Sequence, residues 1–234
     1  MTCCSVKGCN EFFTERVARR DAARYRRTGI DGNARRVVDF ARQRGIEGST
    51  VLEVGGGIGA LQLEFLQAGA SRAENVELSP AYEPYAAELL QAAGLEGRVE
   101  RHLLDFASQA DDVQSADVVV LHKVVCCYPD YEALVGAAAV HAKRQLLLTF
   151  PRESWWTRLG LAAVNLIQRL RRRTFRVYVH SPAAIIDVAG LYGLEPTARQ
   201  RGRLWEFCGL ERTGAPATTR VPTRSLRESG HAQA

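Results

Sequence analysis

The sequence predicts an α/β protein with a mostly parallel, doubly wound sheet, helices on both faces and a helical arm at the N-terminus. Short β-branched or apolar runs alternate with helical segments, which is the pattern of βαβ units. The run Asp117–His122 is apolar enough to be buried on both faces, as strands of parallel sheets are. A run of glycines, Gly55–Gly57, separates the first strand from the next helix.

The arm consists of helices rich in arginine and alanine. Residues 11–44 have a helical pattern, and Gly29 and Gly32 divide them into two helices. The β-branched run Thr50–Val54 then predicts the first buried strand. We therefore expect the arm to cover residues 1–47.

The remaining elements follow from apolar periodicity and from the glycines that end helices. The predicted strands are Asn75–Leu78, Val99–Leu104, Asp117–His122, Gln145–Phe150, 195–201 and 204–211. The predicted helices are Ala60–Gln67, Ala81–Ala93, Tyr131–Ala142, 155–170 and Pro182–Tyr192. These elements predict one domain over 48–212, with a lid segment at about 155–180. Residues 213–234 contain few apolar side chains and predict a disordered tail.

Composition and charge limit the class of protein. The 234 residues are 46% hydrophobic and 24% charged, which is typical of a globular domain and excludes collagen-like, coiled-coil and wholly disordered chains. No run of about 18 apolar residues predicts a membrane span, and the N-terminus lacks the layout of a secretory signal. We therefore expect a cytoplasmic protein with reduced cysteines. The net charge of +5 fits either a solvated basic face or an anionic partner.

The glycine loop after the first strand is the strongest functional signal. Gly55, Gly57 and Gly59 remove side chains where a ligand approaches the backbone, and they tolerate the positive φ of a tight turn. The helix that follows directs its N–H groups and positive dipole end towards an anion. With Ala60, the same glycines also fit the G-x-G-x-x-A pattern of dinucleotide-binding proteins. The loop alone does not show whether the ligand is a dinucleotide or another group that approaches the backbone.

Acidic residues near the strand ends argue against a dinucleotide. Glu53 lies two residues before the first glycine, where dinucleotide loops are usually apolar, and Glu77 ends the second strand, in position to accept ribose hydroxyls. Asp105 ends the third strand and is followed by Phe106. A glycine loop followed by these acids resembles the class I S-adenosylmethionine-dependent methyltransferases, and the resemblance covers residues 50–150.

This resemblance implies a Rossmann-like class I methyltransferase fold with S-adenosylmethionine as the cofactor. It implies that the loop holds the methionine half of the cofactor, with the carboxylate near the N–H groups of Gly57–Gly59. It assigns the ribose to Glu77, the adenine ring to Leu78 and the adenine amino group to Asp105. The predicted cofactor-binding residues are Glu53, Gly55, Gly57, Gly59, Glu77, Leu78, Asp105, Phe106 and His122.

A second, more local resemblance concerns the substrate side. Tyr128-Pro129, the strand end Thr149–Arg152 and the run Arg176–His180 are similar to the magnesium-protoporphyrin O-methyltransferases, which also have an N-terminal helical arm, here around Tyr25. Cys127 stands where we expect a histidine before Tyr-Pro in those enzymes. The chain is therefore more similar to small-molecule methyltransferases related to them, and porphyrin methylation is not implied.

Three side chains are candidate catalytic residues: His122, His180 and Tyr25. Methyl transfer is an in-line displacement in which the protein chiefly positions the reactants, and a phenol, hydroxyl or amine acceptor benefits from a general base. His122 ends the fourth strand, where its backbone alternatively packs against the cofactor. His180 alternatively caps the helix that begins at Pro182, and Tyr25 alternatively packs between helices.

Segment 155–170 predicts an amphipathic helix. Trp155, Trp156 and the apolar side chains that follow share one face, and Arg171–Arg173 come directly after it. Three interpretations remain open: packing on the edge of the sheet, a lid over an apolar substrate, or contact with a membrane surface through residues 155–173.

The six cysteines leave a metal-binding or redox role as a further alternative. Cys3, Cys4 and Cys9 lie in the leader at the start of the arm, and Cys126-Cys127 lie at the predicted rim of the active site, so thiols would gather if the leader folds over the cleft. Thiolates bind soft metals, but C-C-x4-C is not an established zinc spacing, and we assign no metal ligand.

Together these observations predict transfer of a methyl group from S-adenosylmethionine to an oxygen or nitrogen of a small, partly apolar acceptor. The chain lacks the Asn/Asp-Pro-Pro-Tyr/Phe signature of amino-methylating enzymes, which argues against a nucleic-acid substrate. The alternatives are a catalytically idle protein that binds S-adenosylmethionine or S-adenosylhomocysteine, and a thiol-rich metal or redox protein on a methyltransferase core.

Overall fold

A computed structural model describes residues 6–214, in which seven strands form one sheet. The strands are β1 Thr50–Val54, β2 Arg72–Glu77, β3 Val99–Leu103, β4 Ala116–His122, β5 Ala142–Pro151, β6 Leu194–Arg201 and β7 Trp205–Arg212. Their order across the sheet is β3-β2-β1-β4-β5-β7-β6. Strands β1 to β5 pair in parallel, whereas β7 is antiparallel to β5 and β6. The predicted α/β class with a mostly parallel sheet is confirmed.

Helices precede the sheet and cover its two faces. They are α1 Val6–Phe12, α2 Glu15–Thr28, α3 Gly32–Gln43, α4 Ala60–Gln67, α5 Glu83–Ala93, α6 Phe106–Gln109, α7 Tyr131–His141, α8 Trp155–Leu170 and α9 Pro182–Gly190. Short 3₁₀ turns occupy Pro80–Tyr82, Glu96–Arg98, Ala110–Asp112 and Val125–Cys127. Within this part of the chain, no helix has the length and apolar character needed to cross a bilayer.

The central strands are apolar on both faces because each face supports a separate core. Along β5, Leu146 and Leu148 pack with residues of α7 and α9, while Leu147 packs with residues of α3 and α4. Successive side chains of a strand point to opposite faces, so the continuous apolar run in β5 fills both cores. On the second face, Gly209 of β7 lets the Phe40 ring approach, since a Cβ there would lie 2.6 Å from the ring.

The order of the strands places a crevice at one end of the sheet. Strand β1 pairs with β2 on one side and with β4 on the other. The chain therefore runs from β1 through β2 to β3 on one side, and then returns to β4 on the other side of β1. In open α/β sheets, ligands bind beyond the carboxyl ends of the strands at such a reversal. The loops after β1, β2, β3 and β4 therefore meet around one crevice.

The structure differs from the sequence-based expectations at several boundaries. Strand β2 begins at Arg72 rather than Asn75, and β5 extends over Ala142–Pro151. The short helix α6 was not expected, and residues 173–180 of the expected lid segment have no regular secondary structure. The predicted disordered tail lies outside the described residues, apart from its first two positions.

Candidate active site

A cavity of about 300 Å³ opens at the carboxyl ends of the parallel strands. Its lining includes most of the predicted cofactor residues: Glu53, Gly55, Gly57, Glu77, Leu78, Asp105, Phe106 and His122. Tyr25 of α2 also lines it, whereas Gly59 and His180 are not among its lining residues. The volume is at the lower end of the range for small-molecule sites.

The glycine loop follows β1 in a conformation that L side chains rarely adopt. Gly55, Gly57 and Gly59 have φ values of 69°, 55° and 75°. A Cβ on Gly55 would lie 2.6 Å from the Val124 side chain, so this glycine also permits close approach to the loop after β4. Gly59 is the N-cap residue of α4, and it therefore shapes the turn without lining the cavity.

The carboxylate of Glu77 is held by backbone donors at the end of β2. The Leu78 and Ser79 N–H groups donate to Oε1 at 2.8 and 2.9 Å, and the Gly57 N–H donates to Oε2 at 2.8 Å. Burial raises the pKa of Glu77, while these three hydrogen bonds oppose the shift. The contact with Gly57 ties the glycine loop to β2.

Glu53 is a buried carboxylate beneath the same loop. Its Oε2 accepts from the Gln62 N–H at 3.3 Å and from Asn75 Nδ2 at 3.4 Å. Burial raises the pKa of Glu53 to about 8, against the opposing charge of Arg101 and these two hydrogen bonds. The negative charge of Glu53 is therefore only partly compensated by its neighbours, and the carboxyl group is mostly protonated at neutral pH.

Asp105 is engaged by a tyrosine from the loop after β4. The Tyr128 hydroxyl donates to the Asp105 carboxylate, at 3.0 Å from each of its oxygens. Asp105 also caps α6, since its Oδ1 accepts from the Ala107 N–H at 3.2 Å. Phe106 lines the cavity, but its ring is buried against His141 with 5.3 Å between centroids.

The three candidate catalytic side chains have different environments. His122 Nδ1 lies 3.1 Å from the Thr149 hydroxyl, and burial, followed by the charge of Lys123, lowers the pKa of His122 to about 3. The Tyr25 hydroxyl donates to Glu64 at 3.2 Å, and burial together with that carboxylate raises the pKa of Tyr25 to about 12.

His180 belongs to an aromatic cluster outside the cavity lining. Its Nε2–H donates to the Tyr128 carbonyl at 2.9 Å, and its ring contacts Tyr131 and Tyr178 at centroid distances of 4.6 and 5.7 Å. Burial lowers the pKa of His180. The structure thus brings Tyr25 and His122 to the cavity and uses His180 to hold the loop at Tyr128.

The arm supplies lining residues that the sequence analysis did not identify. Asp31, the N-cap residue of α3, lies 2.6 Å from the Lys123 ammonium, and both line the cavity. Phe13 lines it as well, and the Ser79 hydroxyl donates to the Phe13 carbonyl at 2.8 Å. These contacts join segments that are far apart in the sequence, so no local motif predicts them.

The cysteines do not form a metal centre in the described part of the chain. No group of three or more His, Cys, Asp or Glu side chains within residues 6–214 has an arrangement that would hold a metal ion. Cys9 is buried and lines the cavity, and the Sγ atoms of Cys126 and Cys127 lie 3.8 Å apart. Cys3 and Cys4 lie outside the described residues.

The fold and the site together define a class. A sheet with this strand order, a glycine loop after β1, and carboxylates at the ends of β2 and β3 are the features of a class I S-adenosylmethionine-dependent methyltransferase. A family model described as a methyltransferase domain matches residues 23–216, and the chain belongs to this family. Its cofactor is accordingly S-adenosylmethionine.

Solved structures share the fold. Magnesium protoporphyrin IX methyltransferase from Synechocystis PCC 6803, with bound S-adenosylhomocysteine, is 23% identical, with a TM-score of 0.64 over 82% of this chain and 94% of that chain. An O-methyltransferase family protein from Burkholderia thailandensis is 18% identical, with a TM-score of 0.66 over 89% of this chain and 64% of that one.

A third structure, an O-methyltransferase family 2 protein from Planctomyces limnophilus DSM 3776 in complex with apigenin, is 21% identical, with a TM-score of 0.62 over 85% of this chain and 62% of that one. No curated protein sequence gives a significant match. At these identities the structural likeness establishes the fold.

Proposed function

We propose that this cavity binds S-adenosylmethionine and that the protein transfers the methyl group to an oxygen or nitrogen of a small, partly apolar acceptor. The observation that carries the proposal is the buried Glu77 carboxylate, which lines the cavity and is fixed to the glycine loop through Gly57. The loop offers backbone that a ligand can approach, because its glycines carry no side chains.

The hydrogen bonds of Glu77 leave room for a ribose contact. Each carboxylate oxygen accepts about two hydrogen bonds. Within residues 6–214, Oε1 accepts from Leu78 and Ser79, whereas Oε2 accepts from Gly57 alone. We assign the remaining acceptor position on Oε2 to a ribose hydroxyl, and the adenine amino group to Asp105.

The charge of the cavity fits a cationic cofactor. Its lining includes two basic residues, Arg24 and Lys123, of which Lys123 is paired with Asp31. The acidic residues outnumber them: Glu53, Glu77, Asp105, Asp21 and Asp31. S-adenosylmethionine, when bound, supplies an electrophilic methyl group on a positively charged sulfonium, and it also carries an amino group. Attraction between opposite charges is strong where water is excluded, so the excess of acidic over basic lining residues favours this ligand over an anionic one.

The two candidate bases that line the cavity, His122 and Tyr25, are poor proton acceptors at neutral pH. His122 stays neutral because its pKa is lowered to about 3, and Tyr25 keeps its proton because its pKa is raised to about 12. We therefore propose an acceptor that is nucleophilic without losing a proton to the protein, such as a carboxylate or a neutral amine. The chain then contributes mainly position and orientation.

Apolar lining supports a partly apolar acceptor. Phe13, Ile30, Tyr82 and Val124 contribute to the same cavity as the acids. Among the proteins of similar fold, one is named for magnesium protoporphyrin and another was solved with apigenin, both of them small molecules with large apolar surfaces. These names support a small-molecule acceptor for this chain as well.

Titration of S-adenosylmethionine, S-adenosylhomocysteine and NAD into the purified protein tests the cofactor assignment. We expect micromolar binding of the first two and none of NAD. Glu77→Ala is expected to weaken binding by about tenfold or more, since it removes a charge-assisted contact. Glu100→Ala is the matched control, because that carboxylate is exposed and pairs with Arg72. Unchanged affinity in Glu77→Ala would overturn the ribose assignment.

The second test is turnover. Production of S-adenosylhomocysteine, followed by mass spectrometry with a panel of carboxylate, amine and phenol acceptors, separates an enzyme from an idle binding protein. Cys127 in place of the expected histidine and the low basicity of His122 are the observations that favour the idle alternative. Cofactor binding without turnover on any acceptor class would support the idle alternative.

We place the activity in the cytoplasm, where free thiols such as Cys126 persist.

A further inference from the structure

Helix α8 presents an apolar face to solvent. Nine large hydrophobic side chains are exposed in the described part of the chain, and six of them belong to this helix: Trp155, Trp156, Leu159, Leu166, Ile167 and Leu170. Trp155 and Leu170, at opposite ends of the helix, are 73% and 75% exposed. An apolar patch of this extent on a folded protein marks an interaction surface.

The orientation of α8 is fixed by its polar side. Thr157 and Gln168 are buried beneath the helix. The Asn165 side chain donates to the Val177 carbonyl at 2.7 Å and accepts from the Val177 N–H at 2.8 Å. These contacts anchor α8 to the segment that follows it, so the polar side faces the protein and the apolar side faces outward.

Arginines border the apolar face. On a helical projection, Arg158 and Arg169 lie along one edge of the exposed stripe, and Arg171 and Arg172 directly follow the helix. Of these, only Arg158 is in an ion pair with a residue of the described chain, namely Glu153. The exposed face therefore combines apolar and cationic side chains with one acidic neighbour, whose charge is already paired.

We propose that α8 docks in the plane of an anionic lipid surface. An amphipathic helix with Trp and Leu on one face and arginine at its border inserts the apolar face at the boundary between headgroups and acyl chains. Tryptophan is enriched at this depth because its ring is apolar and its N–H is polar. Each arginine near an anionic leaflet strengthens the attraction about fivefold.

Charge favours a lipid surface over a second copy of the chain. Two copies of α8 packed face to face in parallel would bring Arg169, Arg171 and Arg172 of both chains together, and an antiparallel pair would place them against Arg158 and Glu153 of the other copy. That acid already pairs with Arg158. Like charges at such an interface oppose association, whereas anionic headgroups supply the missing negative charge.

Flotation of the full-length protein with lipid vesicles tests this proposal. We expect the protein to float with vesicles of phosphatidylcholine and phosphatidylglycerol, and much less with phosphatidylcholine alone. The double variant Leu159→Gln/Leu170→Gln should lower the partition coefficient by about tenfold or more, because two apolar side chains no longer insert. The matched control is Leu191→Gln/Leu204→Gln, which changes two leucines that are 82% and 54% exposed elsewhere on the surface.

A second pair of variants tests the role of charge. Arg169→Gln/Arg171→Gln should lower binding to the anionic vesicles by about tenfold or more, while Arg27→Gln/Arg42→Gln removes the same charge from exposed positions on α2 and α3. Circular dichroism and cofactor titration verify that all variants remain folded. Failure of the wild-type protein to float, equal effects of test and control variants, or a concentration-dependent dimer that Leu159→Gln/Leu170→Gln disrupts would overturn the proposal.

Discussion

The Lys123 ammonium lies 2.6 Å from Oδ2 of Asp31, so an ion pair joins the end of β4 to the beginning of α3. The other oxygen of Asp31, Oδ1, accepts from the N–H groups of Asn33 and Ala34, each at 2.9 Å. Lys123 reaches this partner from a left-handed backbone conformation, with φ of 63°. One carboxylate therefore caps a helix of the arm and fastens that arm over the cavity.

Two substitutions at Asp31 separate these roles. Asp31→Asn keeps an oxygen for the helix cap and removes the charge, so the free energy of unfolding should fall by at most about 1 kcal/mol, as for partly exposed ion pairs. Asp31→Ala also removes the cap and should cost about 1 kcal/mol more. Urea denaturation measures both values. Equal losses in the two variants would show that the cap contributes nothing.

Glu53 makes stability depend on pH. Burial raises its pKa to about 8, above the value of about 4.3 for an unfolded glutamate, so between these values the folded state binds more protons and stability falls as pH rises. Glu53→Gln removes this titration. Above pH 8 the variant should be more stable than the wild type by on the order of 1–3 kcal/mol, and the gain should shrink towards pH 5.

The same substitution should weaken binding of S-adenosylmethionine above about pH 8, where Glu53 of the wild type is ionised and the variant lacks a buried negative charge, and the difference should shrink at lower pH. Denaturation curves and titrations at several pH values test both effects. Glu100→Gln, on an exposed part of β3, is the control and should change neither. Lower stability of Glu53→Gln at every pH would mean that the Glu53 charge is already compensated in the free protein.

His122 should remain neutral throughout the physiological range. Burial, then the charge of Lys123, lowers its pKa to about 3, so its C2 proton resonance should not titrate between about pH 5 and 8, where an unperturbed histidine does. The unfolded state binds this proton at higher pH, so His122 lowers stability as pH falls from about 6.5. NMR titration, with His122→Asn for assignment, measures this. A midpoint near 6.5 would contradict the prediction.

Local patterns were sufficient to predict much of the fold. The bounds of β1 and α4 agree with the prediction because a β-branched run and glycines delimit them. The early part of β2 was missed, since Arg72 is exposed and Glu74 is only partly buried, which weakens the apolar signal. The antiparallel pairing of β7 with β5 depends on which edge the chain returns to, and no residue pattern within either strand encodes that choice.

The position of a residue at the cavity was predictable where that residue ends a strand. Glu77 and Asp105 line the cavity as expected, because carboxyl ends of parallel strands meet at one edge. Asp31 and the pairing of Tyr128 with Asp105 were not, because each depends on contact between distant segments. The location of the His180 side chain was also not predicted, since it donates to the Tyr128 carbonyl rather than lining the cavity.

Gly56 is the glycine of the loop that the motif does not single out, yet the structure predicts that it tolerates a side chain poorly. A Cβ there would lie 2.0 Å from Asn75 Nδ2 and 2.6 Å from Glu53 Cδ, both in buried side chains. Gly56→Ala should therefore lower the free energy of unfolding by about 1–3 kcal/mol. Gly32→Ala, where a Cβ meets nothing within 4 Å, should be neutral or stabilising. Equal denaturation midpoints for the two variants would show that Asn75 and Glu53 move aside without cost.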